Sequence, residues 1–416
     1  MTRLRHVAPA GAPIGAGDLG RWTRILVSRG DLVEPLRAVV AARLGARYCH
    51  AACSGRAGLT ILLRAMRELV PAGRNEVVIP SYTCFSVPAS VVKAGLIPRI
   101  VDVVPETLDY DYARLEREDL SRAVAIVATN LYGLPSDLPR LSALARSAGV
   151  FLVDDAAQAL GAEVGGRPCG TWGDAGLISF DKGKSVSAVE GGMVLTDSGR
   201  LDEAIARQVR ALPERSARAA AGAVVRIAGY AAFLRPRLYW IPNAIPQLGL
   251  GRTIYTTAFD IESCAPAVAA LAAVVFARLD EFTRSRRHNA MRLAGSLSGV
   301  AGVVLPRPCE TADPCYLRFP LLLPDTGSRD QLIASLAAAG IGATASYPGA
   351  IVDIPGLKGR IVGDTGAPGG REVARRIVTL PTHPYVALRD LATMAETIAH
   401  AFRPARAMAA PALARQ

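Results

Sequence analysis

From Glu76 onward, short continuous runs of apolar and β-branched residues alternate with longer stretches in which apolar positions recur every three or four residues. The first pattern belongs to strands covered on both faces, the second to the helices that cover them. Strands are predicted over 76–80 (EVVIP), 98–103, 123–130, 150–156, 175–180 and 191–197. Helices are predicted over 57–70 behind Ser54-Gly55, over 87–94, and over 138–148 between an Asp137 cap and Gly149. The alternation predicts an α/β protein whose large domain, about 31–257, is a mostly parallel sheet between helices. Past Arg200 the strand pattern stops, and 201–257 reads as a helix-rich connecting region dotted with arginine, containing RPRLYWIPNAIPQLGLG. A long helix predicted over 265–287 leads into a smaller α+β C-terminal domain, 258–403. There YLRFPLLL (316–323) and IGATASY (341–347) alternate with helices over 328–339 and 388–402. Residues 1–30 read as a flexible N-terminal segment, and 404–416, rich in Ala, Pro and Arg, as a loose tail.

Composition narrows the classes. With 416 residues, 50% of them hydrophobic and 20% charged, the chain is too apolar to be disordered and long enough for two or three cores. A formal net charge of +12 suggests nucleic acid or an anionic surface. Only Lys93, Lys182, Lys184 and Lys358 are lysines, however, and the other 44 basic residues are arginines spread from end to end. The surplus is a compositional bias, and no nucleic-acid partner is expected. Seven cysteines without a CxxC pair fit a reducing compartment, and Cys49, His50 and Cys53 lack the second ligand pair of a metal site, so the two cysteines read as buried free thiols. Without a leader-like apolar core or a run of ~20 apolar residues, a soluble, cytoplasmic protein is expected. GAVVRIAGYAAFL (222–234), with Arg226, Arg235 and Arg237, has the make-up of a helix lying on a membrane surface. It fits better a helix packed at a subunit or substrate interface.

Gly15, Gly17 and Gly20 spell a GxGxxG, but Pro9 and Pro13 stand where the preceding strand of a dinucleotide site is required. Three other elements carry chemistry. At Ser54-Gly55-Arg56-Ala57-Gly58 an apolar run turns into a helix whose first N–H groups suit a phosphate. Asp154-Asp155 closes an apolar strand at the end where doubly wound sheets bind ligands, and a carboxylate there needs a partner. A protonated heterocyclic nitrogen, an arginine or a helix N-terminus would each serve. Ser179-Phe180-Asp181-Lys182-Gly183-Lys184 closes the next strand. In a chain that otherwise uses arginine, two lysines here point to a nucleophilic amine, which a guanidinium cannot supply. Phosphate cradle, aspartate and lysine together are what pyridoxal phosphate requires.

The block VDDAAQALGAEVGGRPCGTWGDAGLISFDKGKSVSAVEGG resembles, in order and spacing, that of the pyridoxal-phosphate-dependent sugar aminotransferases of the DegT and StrS group, which have the type I transferase fold. The resemblance runs from about Tyr48 to Asp197, and more faintly through YLRFPLLL and Leu380-Pro381-Thr382-His383-Pro384. It implies that Lys184 is the Schiff-base lysine and Asp155 the partner of the pyridine nitrogen, the two catalytic residues. It also implies that Gln158 touches the ring oxygen, that Gly55, Arg56, Ala57 and Ser179 hold the phosphate, and that Lys182 is only a neighbour. Arg56 stands where the family usually has threonine. Cys84, with Phe85 beside it, fills the slot of the ring-stacking aromatic. Where the neighbouring subunit usually contributes an asparagine, Phe259 to Pro266 has none.

The activity so implied is amino transfer from glutamate to a nucleotide-linked keto-sugar, in a homodimer. A sugar dehydratase of the same group would carry histidine at Lys184. A catalytically weak relative with a scaffold or regulatory role is the alternative from another class.

Overall fold

A computed structural model describes residues 5–28, 30–213, 215–245 and 253–402; the tail over 404–416 and part of RPRLYWIPNAIPQLGLG lie outside the described residues. The large domain is built on an eight-stranded sheet. Its order is Tyr48–Ala52, Gly192–Thr196, Ala175–Ser179, Phe151–Asp155, Ala123–Ala128, Glu76–Pro80, Ile97–Val101 and Val362–Gly363. Only Gly192–Thr196 runs against its neighbours. Glu76–Pro80, Ala123–Ala128 and Ala175–Ser179 are buried along their whole length, which is why they read as continuous apolar runs. One face is covered by Gly55–Leu69, from Ala57 to Met66 almost wholly buried. The other is covered with the help of Glu34–Leu44, Leu138–Ala148 and Pro266–Phe276.

The smaller core lies between the antiparallel pair Arg318–Leu322 and Ile377–Pro381 and the helices Leu279–Leu297, Thr326–Ala338 and Leu388–Ala401. Chain after 258 also serves the large domain, since Ile351, Leu357 and Val373 belong to the core beneath the sheet and Val362–Gly363 forms its edge.

Three expectations are corrected. The helix expected over 265–287 is two, Pro266–Phe276 and Leu279–Leu297. The first is apolar all round and sunk in the core; the second buries one face, and between them Arg278 is tied to Asp18 and Glu281, each at 2.7 Å. IGATASY forms no strand, and its β-pairing is confined to isolated bridges, Ile341 with Val7 and Thr344 with Thr379.

Of the segment expected to be flexible, residues 7–14 are instead packed into the structure. Val7, Ala8, Ala12 and Ile14 are almost wholly buried. Val7 exchanges backbone hydrogen bonds with Gly340 and Gly342 at 2.8 and 2.9 Å, and the Ala12 amide donates to the Tyr230 hydroxyl at 3.0 Å. The Ala8 carbonyl meets Nε2 of the buried His383 at 2.9 Å, and burial pushes that imidazole down to about 4, so it is neutral. Small residues dominate this strap because it is squeezed: a Cβ on Gly11 would stand 2.8 Å from Leu234. Gly15 then caps the helix Ala16–Leu26, its amide donating to Asp18 at 2.8 Å, so the glycine triplet is a helix start rather than a nucleotide loop.

Candidate active site

A cavity of about 380 Å³ opens where Ala123–Ala128, Phe151–Asp155 and Ala175–Ser179 end. Gly55, Arg56, Cys84, Asp155, Gln158, Ser179, Lys182 and Lys184 all line it; Ala57 lies buried just behind. At the cradle, the Ser54 hydroxyl accepts the Ala57 amide at 3.1 Å and so caps Gly55–Leu69. The Ser179 hydroxyl abuts the same helix start, since a Cβ on Gly55 would meet it at 3.1 Å; only glycine lets helix and strand end approach so closely.

The two aspartates differ in kind. Asp154 is fully engaged, accepting from the Asn130 side chain at 2.8 Å and from the Gly170 and Trp172 amides at 2.6 and 3.1 Å. Among the described residues the Asp155 carboxylate accepts only the Ala157 amide, at 2.9 Å, and it borders the cavity. Burial pushes its carboxyl up to about 6, against the opposing pull of that amide and of the positive charge on Lys184. A carboxylate with spare acceptor capacity, destabilised by burial, is suited to a cationic partner.

Gly183 has φ +74° and turns the chain between the two lysines. Lys182 is exposed and Lys184 half-buried. Behind the turn lies Arg286, buried without a carboxylate, donating to the carbonyls of Gly11 at 3.0 Å and Lys184 at 3.5 Å; burial lowers it to about 10. It ties the strap to the lysine loop.

Sequence reasoning missed several residues of the wall. Gln158 donates to the Tyr347 hydroxyl at 2.9 Å and accepts the Tyr132 amide at 3.2 Å. Tyr347 stacks on Tyr132 and Phe85 at centroid distances of 6.4 and 6.2 Å. Phe85 thus packs behind the wall while Cys84 lines the cavity. Arg318 also lines it and donates to Thr344 at 3.1 Å. An arginine inside the apolar run YLRFPLLL was the available signal for it. Arg56 lies over the ring of Phe259 of the same chain at 5.1 Å, and Lys93 over that ring at 5.4 Å. Elsewhere, His50 is held by Asp202 at 2.6 Å, and burial raises the Cys49 and Cys53 thiols.

A mostly parallel sheet between helices, a smaller α+β domain and a cavity at the strand ends make this a transferase of the type I pyridoxal-phosphate fold. A sequence model of the DegT/DnrJ/EryC1/StrS aminotransferase family matches residues 23–234 and 262–399, and the chain belongs to that family, whose aminotransferases depend on pyridoxal phosphate. It is 28% identical over 373 residues to the UDP-N-acetyl-3-dehydro-alpha-D-glucosamine 3-aminotransferase of Acidithiobacillus ferrooxidans, covering 89% of this chain and 88% of that one. It is also 28% identical over 377 residues to the pleiotropic regulatory protein of Geobacillus stearothermophilus, covering 90% of each. The solved sugar aminotransferase CalS13 from Micromonospora echinospora has the same fold, with a TM-score of 0.76 over 95% of this chain and 99% of that one at 23% identity.

Proposed function

We propose that this aminotransferase moves an amino group from glutamate to a nucleotide-linked keto-sugar, with pyridoxal phosphate held in the cavity between Gly55 and Lys184. The observation that carries the reading is the meeting of Asp155, with unused acceptor capacity, and Lys184 in one cavity with a helix start. Bound there, the cofactor supplies an electron sink for a carbanion. Asp155 holds a proton on the ring nitrogen. Lys184 would hold the cofactor through its amine and would serve as the base that moves the proton from the substrate carbon. Gly55, Arg56, Ala57 and Ser179 would hold the phosphate, Gln158 would orient the ring, and Cys84 would take the place of the ring-stacking side chain. Tyr132 and Tyr347 hold the Gln158 amide in one orientation, so their part is positional.

The acceptor class follows the similarity to a UDP-sugar aminotransferase over nearly the whole chain. Incubating the holoenzyme with glutamate and a panel of nucleotide-linked keto-sugars, with product masses read out, tests it: a one-amine product from at least one member is expected, and none from any member overturns the acceptor class. A regulatory role without efficient turnover is the second reading, favoured by the similarity to a pleiotropic regulatory protein. A near-visible absorbance that glutamate fails to bleach would support it.

Arg56 stands over Phe259 with its charge at the helix start, where a phosphate would be held. The subunit-shared site of a homodimer would gain no asparagine from 259–266. Arg56→Thr is therefore expected to weaken cofactor retention about tenfold, as loss of a charge-assisted contact does. An asparagine installed at position 261 should restore much of it. Equilibrium dialysis with absorbance readout measures both, and unchanged retention in Arg56→Thr would remove Arg56 from the cradle.

A further inference from the structure

The helix Ala217–Phe233 rests on Pro266–Phe276 through one face: Ala223, Ile227, Ala231 and, just past its end, Leu234 are buried at helical spacing. The opposite stripe, Ala221, Val225, Ala228 and Ala232, is exposed. Phe233, Leu238, Trp240 and Ile245 continue it, and Val225 is 71% exposed. A contiguous apolar face of this length is a docking surface, because scattered surface apolar residues do not form stripes.

Charge identifies what covers it. From Arg215 to Phe259 there is no aspartate or glutamate, and there are six arginines. Arg215 and Arg226 are paired with Glu190, at 2.6 and 2.7 Å. Arg218, Arg235 and Arg237 are exposed and have no ion pair among the described residues. A second copy laid on this face by two-fold symmetry would bring the unpaired arginines of both copies into one interface, with no acid in the stretch to meet them. Anionic headgroups over an apolar interior satisfy both features, and Trp240 is the residue type that settles at such a boundary. The family match breaks over 235–261, so Arg235, Arg237, Leu238, Trp240 and Ile245 lie in the break, while the helix itself lies within the matched residues. Thr253 and Ile254, from the same break, line the cavity.

We propose that this face docks on an anionic phospholipid surface, with Ala217–Phe233 lying in its plane and the cavity held close to the headgroups. The helix is about 25 Å long, and no helix among the described residues is long and apolar enough to cross a bilayer, so the contact is peripheral.

Flotation of the holoprotein with vesicles of phosphatidylcholine alone, or of phosphatidylcholine with phosphatidylglycerol, tests the proposal. Binding is expected only with phosphatidylglycerol and should fall as salt rises. Val225→Glu with Trp240→Glu should reduce the bound fraction to background, and Arg235→Gln with Arg237→Gln should lower the affinity about tenfold or more. Both variants should keep the near-visible absorbance and amino transfer to a soluble acceptor, which separates docking from the activity proposed above. If the glutamate pair fails to fold, the glutamine pair decides. Absence of binding to phosphatidylglycerol vesicles, or equal binding by the variants, overturns the proposal. So does light scattering in which the glutamate pair breaks an oligomer while the intact protein ignores vesicles; the face would then belong to a second copy.

Discussion

Lys184→Ala should abolish turnover and the near-visible absorbance together, whereas Lys182→Ala should keep the absorbance and most of the activity. Both lysines line the cavity, only two residues apart across the Gly183 turn, so their separation is a stringent test. Lys184 is the half-buried one, and its charge acts on Asp155. Loss of a positioned base alone costs about 10²- to 10⁴-fold, and loss of the nucleophilic amine adds to that. Borohydride reduction followed by peptide mapping reads the attachment directly. A cofactor-tagged peptide that places the adduct on Lys182 or Lys93 would reverse the assignment.

Asp155→Asn should slow proton abstraction by about a hundredfold or more while changing cofactor affinity much less. A carboxylate keeps the ring nitrogen protonated, and an amide does not. Single-turnover kinetics with deuterated donor resolves the step, and an unchanged rate would exclude Asp155 from it. Asp154 is no substitute, because Asn130, Gly170 and Trp172 already occupy it.

The same residue sets a pH dependence. With its folded-state pKa raised to about 6, Asp155 binds more protons in the folded than in the unfolded chain between the ordinary carboxyl range and that value. Its contribution to stability therefore declines as pH rises through this window. A cationic partner needs the ionised form, so cofactor retention should weaken as pH falls through about 6. This inflection should vanish in Asp155→Asn. Absorbance retained after dialysis across pH 5 to 8 measures it.

How far the sequence disclosed this molecule depended on how local each signal was. Glu76–Pro80 and Ala123–Ala128 were legible because burial on both faces leaves an uninterrupted apolar run. Tyr48–Ala52 and Val362–Gly363 were not: the first mixes polar and small residues, and two residues carry no periodicity. Both are edge strands, set by pairing with distant chain. At the site, Asp155 and Ser179 end neighbouring parallel strands and Lys184 lies in the loop that follows the second, so their neighbourhood follows from topology. Tyr132 and Tyr347 come from loops, and Tyr132 holds φ +57°, which no local pattern announces. Of the strap, APAGAP reads as a linker by composition, yet small residues and fixed proline dihedrals also suit a buried extended segment. Only its contacts with Gly340, His383 and Arg286 decide between these.

That strap bears on how the protein melts. Val7 is part of the smaller core and Ile14 part of the larger one, seven residues apart, a span of at most about 25 Å. Loosening either core therefore pulls buried chain out of the other, and Arg286 and His383 lose their carbonyl partners when it leaves. Two domains joined only by a linker would open one after the other. Here residues 5–15 act as a thermal fuse shared by both cores, so heat should take them through one cooperative transition rather than two.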